Sequence, residues 1–396
     1  MSHCRLCNSP NLETAFEFGN QPIVHHLLNS ADEHFDTFPF NIAYCPNCGF
    51  MQMTSFPDRE IVYKNYITLS SWKPQPHAKN FLERIIQLFG LLPDNRILEI
   101  GSNDGGFIEL LHSVGYFNCL GVEPTQDASE IAIKKGLPVT RGFYGLESLD
   151  DYRKLLPEPD LIVSRQVIEH ISDLDSFLSA AHAHLAPTGG LALEFPDHTM
   201  NFESLDYSFW EEHVNYFTIH TIRQLLSKHG FEIFHYESTL FSGKCLFVFA
   251  RRVKSVVPPQ YEAHNHNLAR QYIRLFPRFC HDLHQFLGSH KNNGDLVMYG
   301  CGARSCNFIN LTRSAHFFDR IVDDRAEKQG KFAPGSRLPV TSSEDLEPSV
   351  SVALGVNSEN EFNVIRKKRL TQSFSILPPS NLLPGFWQSI ALSMNR

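Results

Sequence analysis

ILEIGSNDGGF, from Ile97 to Phe107, decides the fold. Its first residues make a compact apolar run of the kind that forms a buried strand, Gly101 and Gly105 mark a turn, and GFIELLHSVG then repeats apolar side chains at helical spacing. Strand, glycine turn and helix open a doubly wound α/β unit. Glycines there let the backbone approach a cofactor, and the helix start offers free N–H groups. The spacing is E-x-G-x-x-x-G, with Asn103 at the middle glycine position of a pyrophosphate cradle.

Outward from this turn, CLGVEP, DLIVSR, GLALEF and CLFVFA are further β-rich runs separated by helical segments such as LDSFLSAAHAHL. The alternation predicts a doubly wound sheet between about Asn80 and Arg252. Glu123 ends the second strand, where a carboxylate can accept both hydroxyls of a ribose. An acid in the first turn repels a diphosphate and suits a cationic cofactor with an amino group. S-adenosylmethionine fits, with Glu99 and Asp104 near its amino-acid end and Glu123 on its ribose; a nucleotide-binding dehydrogenase is the competing reading.

The chain has 396 residues, 42% hydrophobic and 20% charged, which supports two or three domains with cores of their own. A net charge of -8 disfavours nucleic acid as a partner. No signal-peptide pattern and no run of eighteen apolar residues is seen, so a cytoplasmic protein without a membrane partner is expected. After VKSVVPPQY (Val253 to Tyr261), a helix is expected from about Glu262 to Ser289. GDLVMYGCGARSC, DRIVDD and VSVALGV then form a smaller α/β unit. The expected domains are 1–70, 71–255 and 256–396.

Of nine cysteines, Cys4, Cys7, Cys45 and Cys48 form two CxxC pairs in knuckle-like contexts, CRLCN and CPNCG. Two such turns can close four thiolates tetrahedrally on Zn²⁺ and so stabilise a segment whose own core is small. No open coordination position is evident, so the expected role is structural. Four unmetallated cysteines are the alternative, and a redox pair is disfavoured because neither pair opens a helix after a strand.

Taken in order, CxxC…CxxC, LEIGSNDGGF, GVEP, VIEHISD, EHVNYF and VDDRAEKQGKFAPGSRLPV resemble the S-adenosylmethionine-dependent sugar C-methyltransferases of deoxysugar pathways, over essentially the whole chain. The resemblance implies a zinc-binding N-terminal domain, a class I methyltransferase domain and a C-terminal Rossmann-like domain that helps hold a nucleotide-sugar. It implies methylation of carbon 3 of a nucleotide-linked 4-keto-6-deoxysugar. By the same resemblance His213 is the catalytic base, Glu212 the acid beside it, His170 the second active-site histidine, and Tyr66 or Tyr63 the tyrosine reaching over the sugar. The implied cofactor set is Glu99, Gly101, Asn103, Asp104, Gly105, Glu123, Pro124 and Gln166. Two positions depart from the family pattern: Trp210 replaces a tyrosine three residues before the base, and GCGARSC replaces a glycine–tyrosine–glycine run.

A 4-keto group acidifies the neighbouring C–H, and a histidine titrating near neutrality is suited to remove that proton. His213 is expected to do so, with Glu212 orienting it, His170 facing the developing oxyanion, and the aromatics of FWEEHVNYF excluding water. Glu211 receives no role. Arg304, Lys328 and Lys331 are candidates for a diphosphate. The expected state is a monomer or weak dimer. Other readings are N- or O-methylation of a related metabolite, a zinc-ribbon binding module, and a methyltransferase scaffold without catalysis.

Overall fold

The computed structural model describes residues 3–62, 75–204, 209–241, 244–254, 263–347, 350–356, 358–368 and 375–377. Tyr63 and Tyr66 lie outside the described residues. In chain order the strands are β1 (Glu13–Pro22), β2 (Thr37–Tyr44), β3 (Met51–Ser55), β4 (Ile97–Ile100), β5 (Cys119–Glu123), β6 (Val139–Arg141), β7 (Leu161–Arg165), β8 (Gly190–Pro196), β9 (Asn215–Tyr216), β10 (Phe231–Leu240), β11 (Lys244–Arg252), β12 (Leu296–Tyr299), β13 (Arg320–Asp323), β14 (Val340–Ser342), β15 (Ser351–Leu354) and β16 (Ser375–Leu377). They form three sheets.

The central sheet has the order β10-β11-β8-β7-β4-β5-β6, parallel from β8 to β6, with β11 antiparallel to both of its neighbours. All four residues of β4 are buried, as expected of a strand covered on both faces. The strand order reverses beside β4, between β5 and β7, so the crevice at the carboxyl ends of these strands is the expected ligand position. Local signals set the helices around it. Pro76 opens the helix Pro76–Phe89 and left-handed Gly90 ends it, while Asp173 caps Leu174–His184 by accepting the Ser176 N–H at 2.9 Å. The sequence pattern anticipated β4, β5, β7, β8 and β11, but not β6 or the edge strand β10.

The N-terminal sheet runs β1-β2-β3-β9, so β9, from the FWEEHVNYF stretch, leaves the central segment to pair with β3. A boundary at residue 70 therefore divides the sequence but not the sheet. Phe50, beside the second knuckle, meets Phe217 with ring centroids 5.2 Å apart, and both are fully buried. Burial of such a side chain is worth about 1.5–3 kcal/mol.

The C-terminal unit is a parallel sheet, β14-β13-β12-β15-β16, preceded by the helix Ala263–Lys291. One apolar core joins it to the N-terminal sheet: Phe16, Phe40 and Met53 pack with Phe209, Tyr272, Phe276 and Met298. Among the described residues no helix is long and apolar enough to cross a membrane.

Candidate active site

The glycine turn is fixed by its neighbours. The Gly101 N–H donates to the Val122 carbonyl at 2.8 Å. Gly101 and Gly105 have φ of 76° and 83°. A Cβ on Gly101 would come within 2.3 Å of Val167 Cγ2, and one on Gly105 within 2.3 Å of Leu137 Cδ1. Close packing against protein, besides any approach to a cofactor, is thus what requires glycine. Asn103 also takes positive φ, and its side-chain oxygen accepts the Asp104 N–H at 2.8 Å.

Glu123, at the end of β5, accepts N–H groups from Asn103 and Thr125, each at 2.8 Å, and the Thr125 hydroxyl at 2.5 Å. Its carboxylate is held at the turn, and half-buried Pro124 follows it. Burial raises its pKa, with these hydrogen bonds acting in the opposite direction. Glu99 is buried 2% exposed, with Oε2 lacking a hydrogen-bond partner among the described residues. Burial pushes its carboxyl up to about 8, with Arg165 opposing and Glu123 and Asp104 adding to the rise. A buried acid of this kind fits a ligand carrying an ammonium group, and Glu123 fits a ribose, so the residues present suit S-adenosylmethionine.

A charged network beyond Glu99 escaped the sequence reading. Arg165 Nε donates to Glu194 at 2.7 Å, His77 Nε2 lies 3.0 Å from the other carboxylate oxygen, and the Arg165 guanidinium lies over Phe107, 5.1 Å from the ring centroid. Burial raises the Glu194 pKa, but Arg165 and His77 outweigh it and hold the carboxyl at about 2. The Gln166 side chain joins this network, donating to Glu194 at 3.1 Å. An arginine closing the apolar run DLIVS was the available sequence signal.

The second cluster lies where the loop after β7 meets the stretch before β9. The His170 and His213 rings stand edge to face, with centroids 4.7 Å apart, and Trp210 lies 6.0 Å from His213. Burial, then His170 and His198, hold the His213 pKa well below its ordinary value, so the ring is neutral. Burial likewise holds His170 down to about 4. His170 Nδ1 bonds the Glu212 carbonyl at 2.9 Å; a carbonyl only accepts, so Nδ1 carries the hydrogen and Nε2 of the neutral ring presents a lone pair. An oxyanion would find a donor at Nε2 only in the imidazolium form. Glu212 is thus tied to His170 through its backbone, and lines a cleft with His170, Glu211, Val62 and Val214.

Glu211 is buried. Its Oε1 accepts the Val24 N–H at 2.9 Å, and its Oε2 accepts from Asn307 Nδ2 at 3.2 Å. Of the diphosphate candidates, Arg304 is buried 5.8 Å from the Trp210 ring centroid, and Lys328 donates to the Cys301 carbonyl at 2.5 Å and pairs with Asp323 at 3.3 Å. Lys331 is half-buried.

The four cysteines converge. Cys4 and Cys48 Sγ lie 3.5 Å apart, Cys7 and Cys45 Sγ 3.6 Å apart, and all four fall within 4.8 Å of one another. Zn–S bonds of about 2.3 Å in a tetrahedron require edges of about 3.8 Å, so the sulfurs fit zinc. The knuckles match: Asn8 N–H to Cys4 carbonyl and Gly49 N–H to Cys45 carbonyl, each 2.8 Å, with positive φ at Asn8 and Gly49.

Three family models match in succession: a zinc binding domain of methyltransferases at residues 4–63, a methyltransferase domain at 75–236, and a C-methyltransferase C-terminal domain at 259–369. The chain belongs to the S-adenosylmethionine-dependent methyltransferases. The methyltransferase is 23% identical to the C-methyltransferase NovU of Streptomyces niveus over 363 residues, 87% of this chain and 86% of that one. Among solved structures, it is similar to a SAM-dependent methyltransferase from Archaeoglobus fulgidus (16% identity, 49% of this chain and 100% of that one, TM-score 0.38). It is also similar to magnesium protoporphyrin IX methyltransferase from Synechocystis with bound SAH (16%, 44% and 83%, TM-score 0.36). The cofactor of the methyltransferase is S-adenosylmethionine, which supplies an activated methyl group when bound, and zinc belongs to the four-cysteine site.

Proposed function

We propose that the methyltransferase C-methylates carbon 3 of a nucleotide-linked 4-keto-deoxysugar through an enolate, with His213 as the base. The observation that carries the reading is the neutral, half-buried His213 ring beside His170, on a loop bordering the cleft and joined to the C-terminal unit through Glu211. The C3–H bond breaks with its electron pair left on the sugar, His213 receives the proton, and the enolate carbon takes the methyl group from sulfur. Glu99 would face the amino-acid end of the cofactor and Glu123 its ribose. Phe56 in the cleft wall and Trp210 beside His213 limit water at the enolate, whereas Phe209, Tyr216 and Phe217 pack into the cores, and fixed placement of carbon and methyl supplies much of the acceleration. The likeness to a C-methyltransferase over most of both chains supports transfer to carbon. Trp210, which cannot accept or relay a proton as a phenol can, favours an acceptor different from that of relatives with tyrosine.

The test is incubation with S-adenosylmethionine and a panel of nucleotide-linked 4-ketosugars and amino sugars, with product mass and the methylated atom read by mass spectrometry and NMR. Methyl on carbon 3 of a ketosugar is the expected result. Methyl on nitrogen or oxygen overturns the C-methylation reading.

A further inference from the structure

Glu169 is buried beside both histidines and has no part in the reaction as written so far. It is 1% exposed, and neither carboxylate oxygen has a hydrogen-bond partner among the described residues. His170 Nε2 lies 3.9 Å from its Oε1, and a ligand atom of each of Glu169, His170 and His213 falls within 4.8 Å of the others. His213 Nδ1 is buried without a hydrogen-bond partner among the described residues. The cluster is anchored by backbone: the Val214 N–H donates to the Glu169 carbonyl at 2.8 Å, and Asn215 Nδ2 donates to the Ile168 and Ile171 carbonyls at 3.1 and 2.7 Å.

Such a cluster inverts the usual order of basicity. Burial raises the Glu169 carboxyl well above its ordinary value, opposed by its own backbone N–H and reinforced by Glu194 and Glu212, while burial lowers both imidazoles. Among these groups a proton is held better by the carboxylate than by either ring. A ring lowered this far is a weak base alone, because the imidazolium it forms is poorly solvated there.

We propose that Glu169 is the positioning residue that stores the proton His213 removes, so that the working base is the Glu169–His213 pair. This rests on His213 being the base. Neutral His213 turns a lone pair to the substrate and its N–H toward Glu169. Above the pH at which Glu169 ionises, the ring takes the C3 proton on one nitrogen as the C3–H bond breaks and gives its other proton to the carboxylate, which becomes a neutral acid. The ring stays uncharged, and after product leaves the carboxyl returns its proton to solvent. The groups facing the cluster are Glu212 from the same loop, Glu194 from β8, Cys245 from β11 and His198 from the helix His198–Ser204.

The test uses zinc-loaded full-length protein with ¹⁵N-labelled histidine rings, titrated in parallel for wild type and Glu169→Gln. In the wild type the His213 ring signals should move with a midpoint above the ordinary carboxylate range while the ring stays neutral. In Glu169→Gln that movement should vanish. With a reactive acceptor, kcat should fall by about 10²-fold or more, cofactor affinity should stay within about twofold, and Glu169→Asp should recover much of kcat. An unchanged ring titration in Glu169→Gln overturns the proposal. Stoichiometric Mn²⁺ binding in wild type, beyond the four-cysteine zinc and lost in Glu169→Gln, also overturns it, because the same three groups would then be metal ligands. The ring titration needs no acceptor, so absence of turnover on every ketosugar counts against the substrate reading alone. Should Glu169→Gln not fold, the protonated-carboxyl infrared band of the wild type replaces it; absence of any carboxyl titrating above the ordinary range overturns the proposal.

Discussion

Replacing His213 by asparagine keeps a polar group in the pocket but removes the imidazole lone pair. Turnover should be lost while S-adenosylmethionine affinity, measured calorimetrically, stays nearly unchanged; retained turnover would reject His213 as the base. Glu99 carries a different prediction. With its carboxyl pushed up to about 8, it holds a proton at neutral pH in the free protein, and a cationic ligand beside it favours the ionised form. Cofactor affinity should therefore rise between about pH 6 and 8, with proton release visible in buffers of different ionisation enthalpy, and Glu99→Gln should flatten that slope. Glu99 and Glu123 were legible in the sequence because each ends a strand beside a recognisable turn. The role of Glu211 was not, because Val24 and Asn307 lie 187 and 96 positions away along the chain. Glu169 was hidden differently: one carboxylate in the run VIEHI shows its unusual character only once burial and absent partners are known.

At the scale of elements, the knuckles were the most readable feature, since CxxC turns need only local chain to present their sulfurs. What surrounds them was not readable. Asn265, from the start of the long helix Ala263–Lys291, donates to the Gly49 carbonyl at 3.1 Å and accepts the Thr218 hydroxyl at 2.8 Å, so one side chain ties knuckle, helix cap and long helix together. Structural zinc is worth about 10–16 kcal/mol of apparent binding free energy in isolated small domains. Removing it with a chelator should unfold the N-terminal segment, loosen β9 and with it the His213 loop, and abolish activity before the central sheet melts. Proteolysis confined to the first sixty or so residues, with near-native helix content, is the expected result. The pairing of β3 with β9 could not be foreseen, because a two-residue strand carries no periodicity.

At the scale of the whole molecule, Glu211 joins all three units, and its carboxyl is pushed up to about 7, first by burial and then by Glu212. A folded pKa above the ordinary 4.5 means that stability from this group is full at low pH and is lost as pH rises through about 7. Glu211→Gln should therefore show a weaker fall in melting temperature than wild type between about pH 5 and 7; identical profiles would contradict the burial argument. The same carboxylate has a consequence for how the reaction is driven. It accepts an N–H from the N-terminal unit and an amide from the C-terminal one, two positions before His213. If the C-terminal unit grips the nucleotide, that grip is transmitted to the loop bearing the base, so affinity for a part of the substrate far from the reacting carbon is converted into alignment of the ring. A ketosugar phosphate stripped of its nucleoside should then react slowly even at saturation, losing kcat as well as affinity, and Asn307→Ala should make intact and truncated acceptors more alike.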